Sequence, residues 1–413
     1  MMEQREIPRR TVLRTGVAAG AAGLTTVAMT GPAKAFPEAA GDVLPWLDQP
    51  PPIPEPARDI AGNLLVWEQV DSRITPNAEF FTVKHYNLPQ LSATGYRLEL
   101  DGLVDRPHMF SLAGLRARPR RTVEFTLECS GNTSAPWFIG GVGNARWTGT
   151  PLHLLLRQAG PAREGTEVVF WGADRGTVTI RDNSGIISAG VTGTAEPDAG
   201  GGLDLTITEQ FARSMSMAEA MAPDNLLCYE MNGETLPREH GYPVRLIAPG
   251  WYGVANVKWL TRIQVTDQRW AGRFMARDYV TIRELPHHGQ TVWTFHTVSH
   301  TRLKSAPAKV TRHRGRYAIL GVAWGAPIAR VEVQIDGGRW HAATLDRHRN
   351  RGGFAWRFWH FDWGRPPAGE HTVRSRAFDT DGNLQPPPDD PYLRSRRTYW
   401  EENGQITRRV RTT

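Results

Sequence analysis

The strongest constraint on the fold lies in the last third of the chain, where apolar and polar residues alternate. The stretch ARVEVQIDGGRW places three β-branched residues on one face of an extended strand and follows them with Asp336 and Gly337, a common hairpin turn. The stretch AWRFWHFDW continues the same pattern. Alternation with a period of two, interrupted by turns, predicts a β-sandwich over residues 286–413.

Residues 64–285 have a different character, because strand-like and helix-like stretches follow one another. The whole pattern predicts an α+β domain, and the 41 glycines and 30 prolines favour short elements joined by turns. The Pro-rich residues 36–63 are interpreted as an extended lead-in. The predicted strands are YRLELDGLV, TVEFTLEC and TEVVFWGA, and the predicted short helices are TPLHLLLRQAG and TEQFARSMSMAEAMA.

The first 35 residues are typical of a targeting segment. Arg9 and Arg10 precede a mildly apolar run, and residues 33–35 (AKA) offer a small-residue cleavage site. The segment resembles a twin-arginine signal peptide, which predicts export to the periplasm or the extracellular space. A membrane anchor is less favoured, because the run is rich in glycine and alanine and a bilayer span needs ~20 strongly apolar residues. We expect no membrane span in the mature protein.

The charge of the chain favours a small anionic ligand over a nucleic acid. The net charge is +7, but the cations are scattered among 42 acidic residues and form no basic run interleaved with aromatic residues. A phosphorylated cofactor or an inorganic anion needs fewer basic residues and fits equally well. We therefore expect no nucleic-acid partner.

The two cysteines allow two interpretations. A disulfide between Cys129 and Cys228 is chemically possible in an exported protein. Alternatively, Cys228 lies in an apolar run as a small buried hydrophobe, while Cys129, in the polar stretch TLECSGN, provides a thiolate that a ligand approaches closely. The stretch alone is equally compatible with Cys129 being a second buried core thiol.

Four histidines near one another suggest a zinc site at first sight. The stretch TFHTVSH reads as a strand, however, where a four-residue spacing lacks the shared face that two helical ligands would have. The zinc interpretation is therefore disfavoured. The histidines are His287, His288, His296 and His300.

Five sequence blocks stand out by their order and spacing. They are FFTVKHYNLP (80–89), TLECSGN (126–132), GNARWTGTPLHLLLRQAG (143–160), LCYEMNGETLPREHGYPVRLIAPGWYGVANVKWL (227–260) and ARDY (276–279). Together they resemble the molybdenum domain of the sulfite oxidase family. The resemblance extends over roughly residues 64–400 and includes the β-sandwich, which in this family is an immunoglobulin-like domain that mediates dimerisation. It therefore implies a homodimer.

The resemblance implies a Mo-molybdopterin cofactor and a set of residues that bind it. Cys129 corresponds to the family's metal ligand, and a soft thiolate suits a metal already held by dithiolene sulfurs. Tyr279 corresponds to the family's active-site tyrosine, whose hydroxyl can bond a substrate oxygen. The residues implied to hold the pterin and its phosphate are Phe81, Thr82, Lys84, His85, Asp174, His240, Arg245, Asn256, Val257 and Lys258.

The implied reaction is oxygen-atom transfer at molybdenum, and the implied substrate is a small molecule such as a sulfur oxyanion. The chain has no CxxCH motif for a c-type haem, so a separate acceptor, such as a c-type cytochrome, is expected to take the electrons. Two alternatives stay open: a reductase of S-oxides or N-oxides with the same cofactor, and a non-enzymatic exported binding protein with a Cys129–Cys228 disulfide.

The sequence departs from typical sulfite-oxidising members at the expected substrate pocket. Those members have arginines where this chain has Val83, Thr133 and Ser134. The departure predicts a pocket with fewer cations, which would bind sulfite weakly or accept a less charged sulfur compound. Lys84, or an arginine from LRSRRTYW (393–400), is the expected substitute if sulfite is bound.

Overall fold

The computed structural model describes residues 41–180, 205–347 and 352–413. The signal peptide predicted over residues 1–35 lies outside these ranges, so its prediction is not tested by the structure. Within the described ranges, no helix has both the length and the apolar character needed to cross a membrane.

Strands form most of the regular structure, and the helices are short. In chain order, the strands are β1 (Asp42–Leu44), β2 (Ala61–Gly62), β3 (Thr82–Val83), β4 (Leu98–Gly102), β5 (His108–Phe110), β6 (Arg121–Glu128), β7 (Val142–Pro151), β8 (Glu167–Ile180), β9 (Leu205–Ser216), β10 (Leu226–Met231), β11 (Glu234–Thr235), β12 (Arg245–Ile247), β13 (Leu260–Thr266), β14 (Val280–His287), β15 (Gln290–Thr297), β16 (Lys304–His313), β17 (Arg316–Trp324), β18 (Ile328–Ile335), β19 (Trp340–Leu345), β20 (Arg357–Gly364), β21 (Gly369–Asp379) and β22 (Ile406–Thr412). The α-helices are α1 (Leu112–Arg116), α2 (Leu152–Ala159), α3 (Met217–Ala220), α4 (Arg273–Ala276) and α5 (Pro391–Arg394). Single 3-10 turns span Ala57–Asp59, Trp67–Gln69, Asn77–Glu79, Arg238–His240 and Gly253–Ala255.

Two five-stranded sheets and the helices packed on them form the α+β part of the chain. One sheet has the order β5-β4-β13-β8-β9, and the other has the order β11-β10-β7-β6, with β12 also paired to β10. The α2 helix was correctly predicted, and it ends at Gly160, whose φ of 68° provides a left-handed C-terminal cap. These sheets confirm the mixed architecture predicted for this region.

The last third of the chain is a β-sandwich, as predicted. Its strands form one eight-stranded sheet, in the order β1-β16-β17-β20-β19-β18-β21-β22, which folds over so that β16 contacts β21. Across this contact, Ser305 Oγ and Ser375 Oγ are 2.9 Å apart. The predicted hairpin turn is present, since Asp336 and Gly337 have φ values of 51° and 69°.

The segment interpreted as a lead-in contributes to the sandwich. Strand β1 pairs antiparallel with β16 at the sheet edge. Trp46 is 2 % exposed, and its indole N–H donates to Ala308 O at 2.9 Å. Burial of this large aromatic ring therefore fixes part of residues 36–63 to the C-terminal domain, despite the prolines around it.

The helix predicted over TEQFARSMSMAEAMA was wrong for most of its length. Strand β9 continues through Ser216, and only α3 is helical. Phe211, Arg213 and Met215, together with the two residues between them, are all buried. A strand buried on both faces has no polar alternation, and the ladder that β9 forms with β8 decided its conformation.

The boundary predicted at Pro286 falls inside β14, which pairs with β15 as a separate two-stranded hairpin. The first long strand of the sandwich is β16, which begins at Lys304. This hairpin therefore separates the two parts of the chain, and its first strand starts directly after Tyr279.

Candidate active site

A solvent-open cavity of about 630 Å³ lies where β6, β8 and β12 approach the loops around residues 81–85 and 253–259. All of the residues predicted to bind the cofactor or act in catalysis contribute to its lining. They are Phe81, Thr82, Lys84, His85, Cys129, Asp174, His240, Arg245, Asn256, Val257, Lys258 and Tyr279.

Cys129 is the first residue after β6, in a turn that buries its thiol. Its N–H donates to Gly141 O at 2.8 Å, and its carbonyl oxygen accepts from Asn132 N at 2.9 Å. Cys129 is 8 % exposed, and burial raises the pKa of its thiol to about 12. A cation bound at the sulfur would offset the cost of a buried thiolate, so the position suits a metal ligand.

Cys228 lies on β10 and packs as a buried hydrophobe. Its thiol donates to Glu230 O at 3.2 Å, and the residue is fully buried. Cys129 and Cys228 are both free thiols, so the interpretation of the two cysteines as a disulfide is wrong. The Cys129 thiol therefore remains available to a ligand.

Two cations and a histidine form a positively charged wall of the cavity. Arg245 donates to His240 O and to Asn256 O, both at 3.0 Å. Lys258 Nζ donates to the carbonyl oxygens of Val83 at 2.9 Å and Glu239 at 3.0 Å. Within the described part of the chain, neither cation has a carboxylate at ion-pair distance, which leaves this wall suited to an anion.

The pKa values of this wall show the cost of leaving it without an anion. Burial, and next the charge of Arg245, lower the pKa of Lys258 to about 7 and that of His240 to about 3. Burial also lowers the pKa of Arg245 to about 10. A phosphate here would stabilise the charged forms of Arg245 and Lys258, because charge-assisted hydrogen bonds would replace their lost hydration.

Two buried polar atoms of the cavity have no hydrogen-bond partner among the described residues. They are Arg245 Nε and Asp174 Oδ1. Asp174 is 3 % exposed, and burial raises the pKa of its carboxyl to about 6. Because unpaired buried groups are costly, these atoms point to a ligand that accepts from the arginine and donates to the carboxylate. A phosphorylated pterin has both kinds of group, so the residues fit the cofactor.

Asn256 contributes to the cavity mainly by fixing its loop. Its side-chain oxygen accepts from Ala248 N at 2.7 Å, and its amide nitrogen donates to Tyr252 O at 2.9 Å. Both ends of the side chain are therefore occupied by backbone groups. A ligand at this loop would meet its backbone together with Val257 and Lys258.

His85 and Tyr279 form a hydrogen-bonded pair in the lining of the cavity, with Nε2 and the hydroxyl oxygen 2.6 Å apart. Burial, followed by the charge of Lys258, lowers the pKa of His85 to about 3, so the imidazole is neutral. Burial raises the pKa of Tyr279 well above its ordinary value, so its hydroxyl keeps its proton. The pair can therefore donate to, or accept from, a substrate oxygen without a change of charge.

Two aromatic residues of the C-terminal segment also belong to this site, and sequence reasoning missed them. Trp400 stacks on Tyr279, and Tyr399 contacts Trp400 with ring centroids 3.9 Å apart. Tyr399 also covers Gly131, where an added Cβ would lie 2.9 Å from its ring. The two aromatic residues at the end of LRSRRTYW are the sequence signal that could have revealed this contact.

None of the three arginines of that stretch lines the cavity, and two of them have acidic partners. Arg396 donates to Trp400 O at 2.7 Å and pairs with Glu402. Arg397 Nε donates to Glu284 at 2.7 Å. The exposed Lys84, next to Val83 in sequence, lines the cavity in addition to Arg245 and Lys258.

Three of the four histidines lie on the β14–β15 hairpin, and His300 follows its second strand. His287 and His288 lie at its tip with ring centroids 4.3 Å apart. His296 pairs with Thr281 near the opposite end, and His300 packs on Trp251. These positions do not converge on one point.

Family models match both parts of the chain. A model described as "Oxidoreductase molybdopterin binding domain" matches residues 85–189 and 186–274. A model described as "Mo-co oxidoreductase dimerisation domain" matches residues 292–400. Fold and site thus define a molybdopterin-binding oxidoreductase.

Similar proteins place the chain within a particular family. It is 32 % identical over 341 residues to the sulfite oxidase of Gallus gallus. The aligned region covers 76 % of this chain and 68 % of the chicken protein. It is 32 % identical over 347 residues to the mitochondrial sulfite oxidase of Homo sapiens, over 76 % of this chain and 58 % of the human protein. The chain belongs to the sulfite oxidase family, and its cofactor is Mo-molybdopterin.

A solved structure shows the same fold. The sulfane dehydrogenase SoxCD from Paracoccus pantotrophus matches with a TM-score of 0.67 and 28 % sequence identity, covering 83 % of this chain and 82 % of that chain. Membership of an oxidoreductase family excludes the alternative of a non-enzymatic binding protein.

Proposed function

We propose that this chain catalyses oxygen-atom transfer to a sulfur compound and passes the electrons to a separate acceptor protein. The observation that carries the proposal is the position of Cys129, a free buried thiol, in a cavity whose cationic wall has no anionic partner among the described residues. When bound, Mo-molybdopterin supplies the oxygen-atom transfer and takes up two electrons.

The cationic wall is proposed to hold the phosphate of the cofactor. Arg245 offers a planar guanidinium and Lys258 a compact charge, and the two together match a phosphate group. The Asp174 carboxylate would accept hydrogen bonds from the pterin, and His240 and residues 81–85 would enclose it. Cys129 would be the protein's ligand to molybdenum.

Tyr279 and His85 are proposed to orient the substrate. Their hydrogen bond holds the phenol group, and the stacked Trp400 ring restricts its rotation. The tyrosine hydroxyl can then direct a proton or a lone pair toward a substrate oxygen. This role requires no change of charge in either residue.

The substrate is proposed to be sulfite bound weakly, or a less charged sulfur compound. Val83 lines the cavity where related enzymes have an arginine, and Arg396 and Arg397 are paired elsewhere. Tyr399 and Trp400 instead place aromatic rings next to Tyr279. Steady-state assays with sulfite and with neutral sulfoxides, using an artificial electron carrier, separate these possibilities.

Reduction of an oxygenated substrate is the second candidate function. Nitrate reductase [NADH] 2 of Phaseolus vulgaris is 28 % identical over 355 residues and covers 76 % of this chain. The same metal couple serves both directions, so assays should also supply a reduced carrier together with an S-oxide, an N-oxide or nitrate.

Metal analysis tests the proposed function most directly. Protein purified from a host that makes molybdopterin should hold about one molybdenum per chain, since one thiolate supplies the protein ligand. Cys129→Ser should abolish turnover and leave the fold intact, whereas Cys228→Ser should retain both metal and turnover. Absence of molybdenum in the wild-type protein would contradict the proposal.

Export and assembly are proposed from the first 35 residues and from the dimerisation domain. Changing Arg9 and Arg10 to lysine should leave folded protein in the cytoplasm, because the arginine pair is the recognised part of such a signal. The mature protein should be a dimer in light scattering at micromolar concentration. A c-type cytochrome from the same compartment is the proposed acceptor, tested by its reduction in the presence of enzyme and substrate.

A further inference from the structure

A buried ion pair connects the β-sandwich to the turn that holds Cys129. Lys304 Nζ lies 2.7 Å from Glu128 Oε1, and the two side chains are 1 % and 0 % exposed. Lys304 is the first residue of β16, and Glu128 is the last residue of β6. The pair therefore joins the two parts of the chain at the residue that immediately precedes the proposed metal ligand.

The lysine contacts the Cys129 turn on both sides of the cysteine. Besides Glu128, its ammonium group donates to Asn132 O at 3.1 Å and to Thr133 Oγ1 at 3.2 Å. One buried cation thus links the residue before Cys129 to the residues that complete the turn. Movement of this ammonium group would shift both attachments of the cysteine backbone.

Further hydrogen bonds fix the orientation of the carboxylate. Trp324 Nε1 donates to Glu128 Oε2 at 2.9 Å, and Asn132 Nδ2 donates to Glu128 Oε1 at 2.9 Å. Trp324 is paired with Lys304 across β16 and β17, so two neighbouring residues of the sandwich bind the two oxygens of this carboxylate. Asn132 Oδ1 in turn accepts from Gly141 N at 3.1 Å, which closes the turn.

We infer that Lys304 and Trp324 of the sandwich are positioning residues that, through Glu128, set the orientation of the Cys129 sulfur toward the metal. Sulfur orientation affects overlap with the metal, and outer contacts of metal ligands commonly tune activity. The sandwich would then act on the metal site as well as on assembly. This inference rests on the proposed role of Cys129 as the molybdenum ligand.

The test compares Lys304→Met with Lys309→Met in the molybdenum-loaded enzyme. Lys309 is a matched control, since it lies on the same strand, is 1 % exposed and pairs with Asp71 at 2.5 Å. Lys304→Met should alter the Mo(V) EPR signal and lower kcat per bound molybdenum by roughly 10- to 100-fold. Lys309→Met should lower thermal stability and leave the EPR signal and kcat at wild-type values.

A wild-type EPR signal and kcat in Lys304→Met would overturn the inference, because the pair would then be structural only. If Lys304→Met does not fold, Trp324→Phe takes its place, since it removes one N–H donor to Glu128 and keeps an aromatic ring. A changed signal in that variant supports the inference, and an unchanged signal overturns it. Absence of molybdenum from the wild-type protein would instead refute the ligand role of Cys129, and the inference with it.

Discussion

The indole ring of Trp400 lies on the phenol ring of Tyr279, with centroids 4.1 Å apart and ring planes inclined by 26°. Tyr279 is the residue before the β14–β15 hairpin, whereas Trp400 belongs to the segment that follows α5. That segment is held at the site by Glu401 N, which donates to Ser130 O at 2.7 Å. The C-terminal part of the chain therefore packs directly against Tyr279, a residue that lines the candidate active site.

Trp400→Ala should lower kcat/KM by roughly 2- to 10-fold. Removal of the stacked ring frees the Tyr279 phenol to rotate, and an aromatic pair contributes about 0.5–1.5 kcal/mol beyond its buried area. Steady-state kinetics measure the effect. Tyr392→Ala is the control, because that ring lies in α5, just before the segment of Trp400, and packs under the Arg283 guanidinium instead. Equal kcat/KM values for wild-type protein and Trp400→Ala would contradict the prediction.

Val83→Arg should lower the KM for sulfite by roughly 10- to 100-fold, since one charge-assisted hydrogen bond contributes about 1.5–3 kcal/mol. Val83 lines the cavity next to Lys84, so an arginine there can face an oxyanion. Val83→Gln is the neutral control with similar reach. If both variants change the KM equally, charge is not the reason that sulfite binding is weak.

The cofactor-free protein should become more stable as the pH rises above about 7. The pKa of Lys258 falls from 10.5 to about 7 in the folded chain, mainly through burial. Between these values the unfolded chain binds an extra proton, so the free energy of unfolding rises with pH. Below pH 7 both states are protonated and this contribution is constant and unfavourable.

Thermal unfolding of cofactor-free protein between pH 7 and pH 8.5 tests this dependence on Lys258. Lys258→Gln should show a smaller rise in Tm over the same interval. Inorganic phosphate should stabilise the wild-type protein more at the lower pH, because the charged lysine binds it. A Tm that rises equally in both proteins would show that another group is responsible.

Arg213→Met should destabilise the protein by about 1–3 kcal/mol for each carbonyl oxygen left without a donor. Arg213 is 1 % exposed and donates to the carbonyl oxygens of Phe274 and Val298. Val298 N in turn donates to Tyr279 O at 2.9 Å, so the arginine also supports the tyrosine. Urea unfolding measures the loss. Arg277→Met, which changes a half-exposed arginine nearby, should cost much less.

Local patterns determined much of the fold. Alternation along β18 and the Asp336-Gly337 turn predicted the sandwich, because the side-chain period of a strand and the φ values of a turn are local properties. The predicted cofactor residues also line one cavity. They could be found because they lie in short, ordered sequence blocks that a family resemblance can match.

Only the tertiary structure decided which distant residues meet at the site. Lys304 and Glu128 are 176 positions apart, and Trp324 and Glu128 are 196 positions apart. No local period reports such a pair, because the contact depends on how the sandwich packs against β6. The stacking of Trp400 on Tyr279 and the burial of β9 on both faces arise in the same way. Packing between separate elements outweighs local preference when it removes large side chains from water.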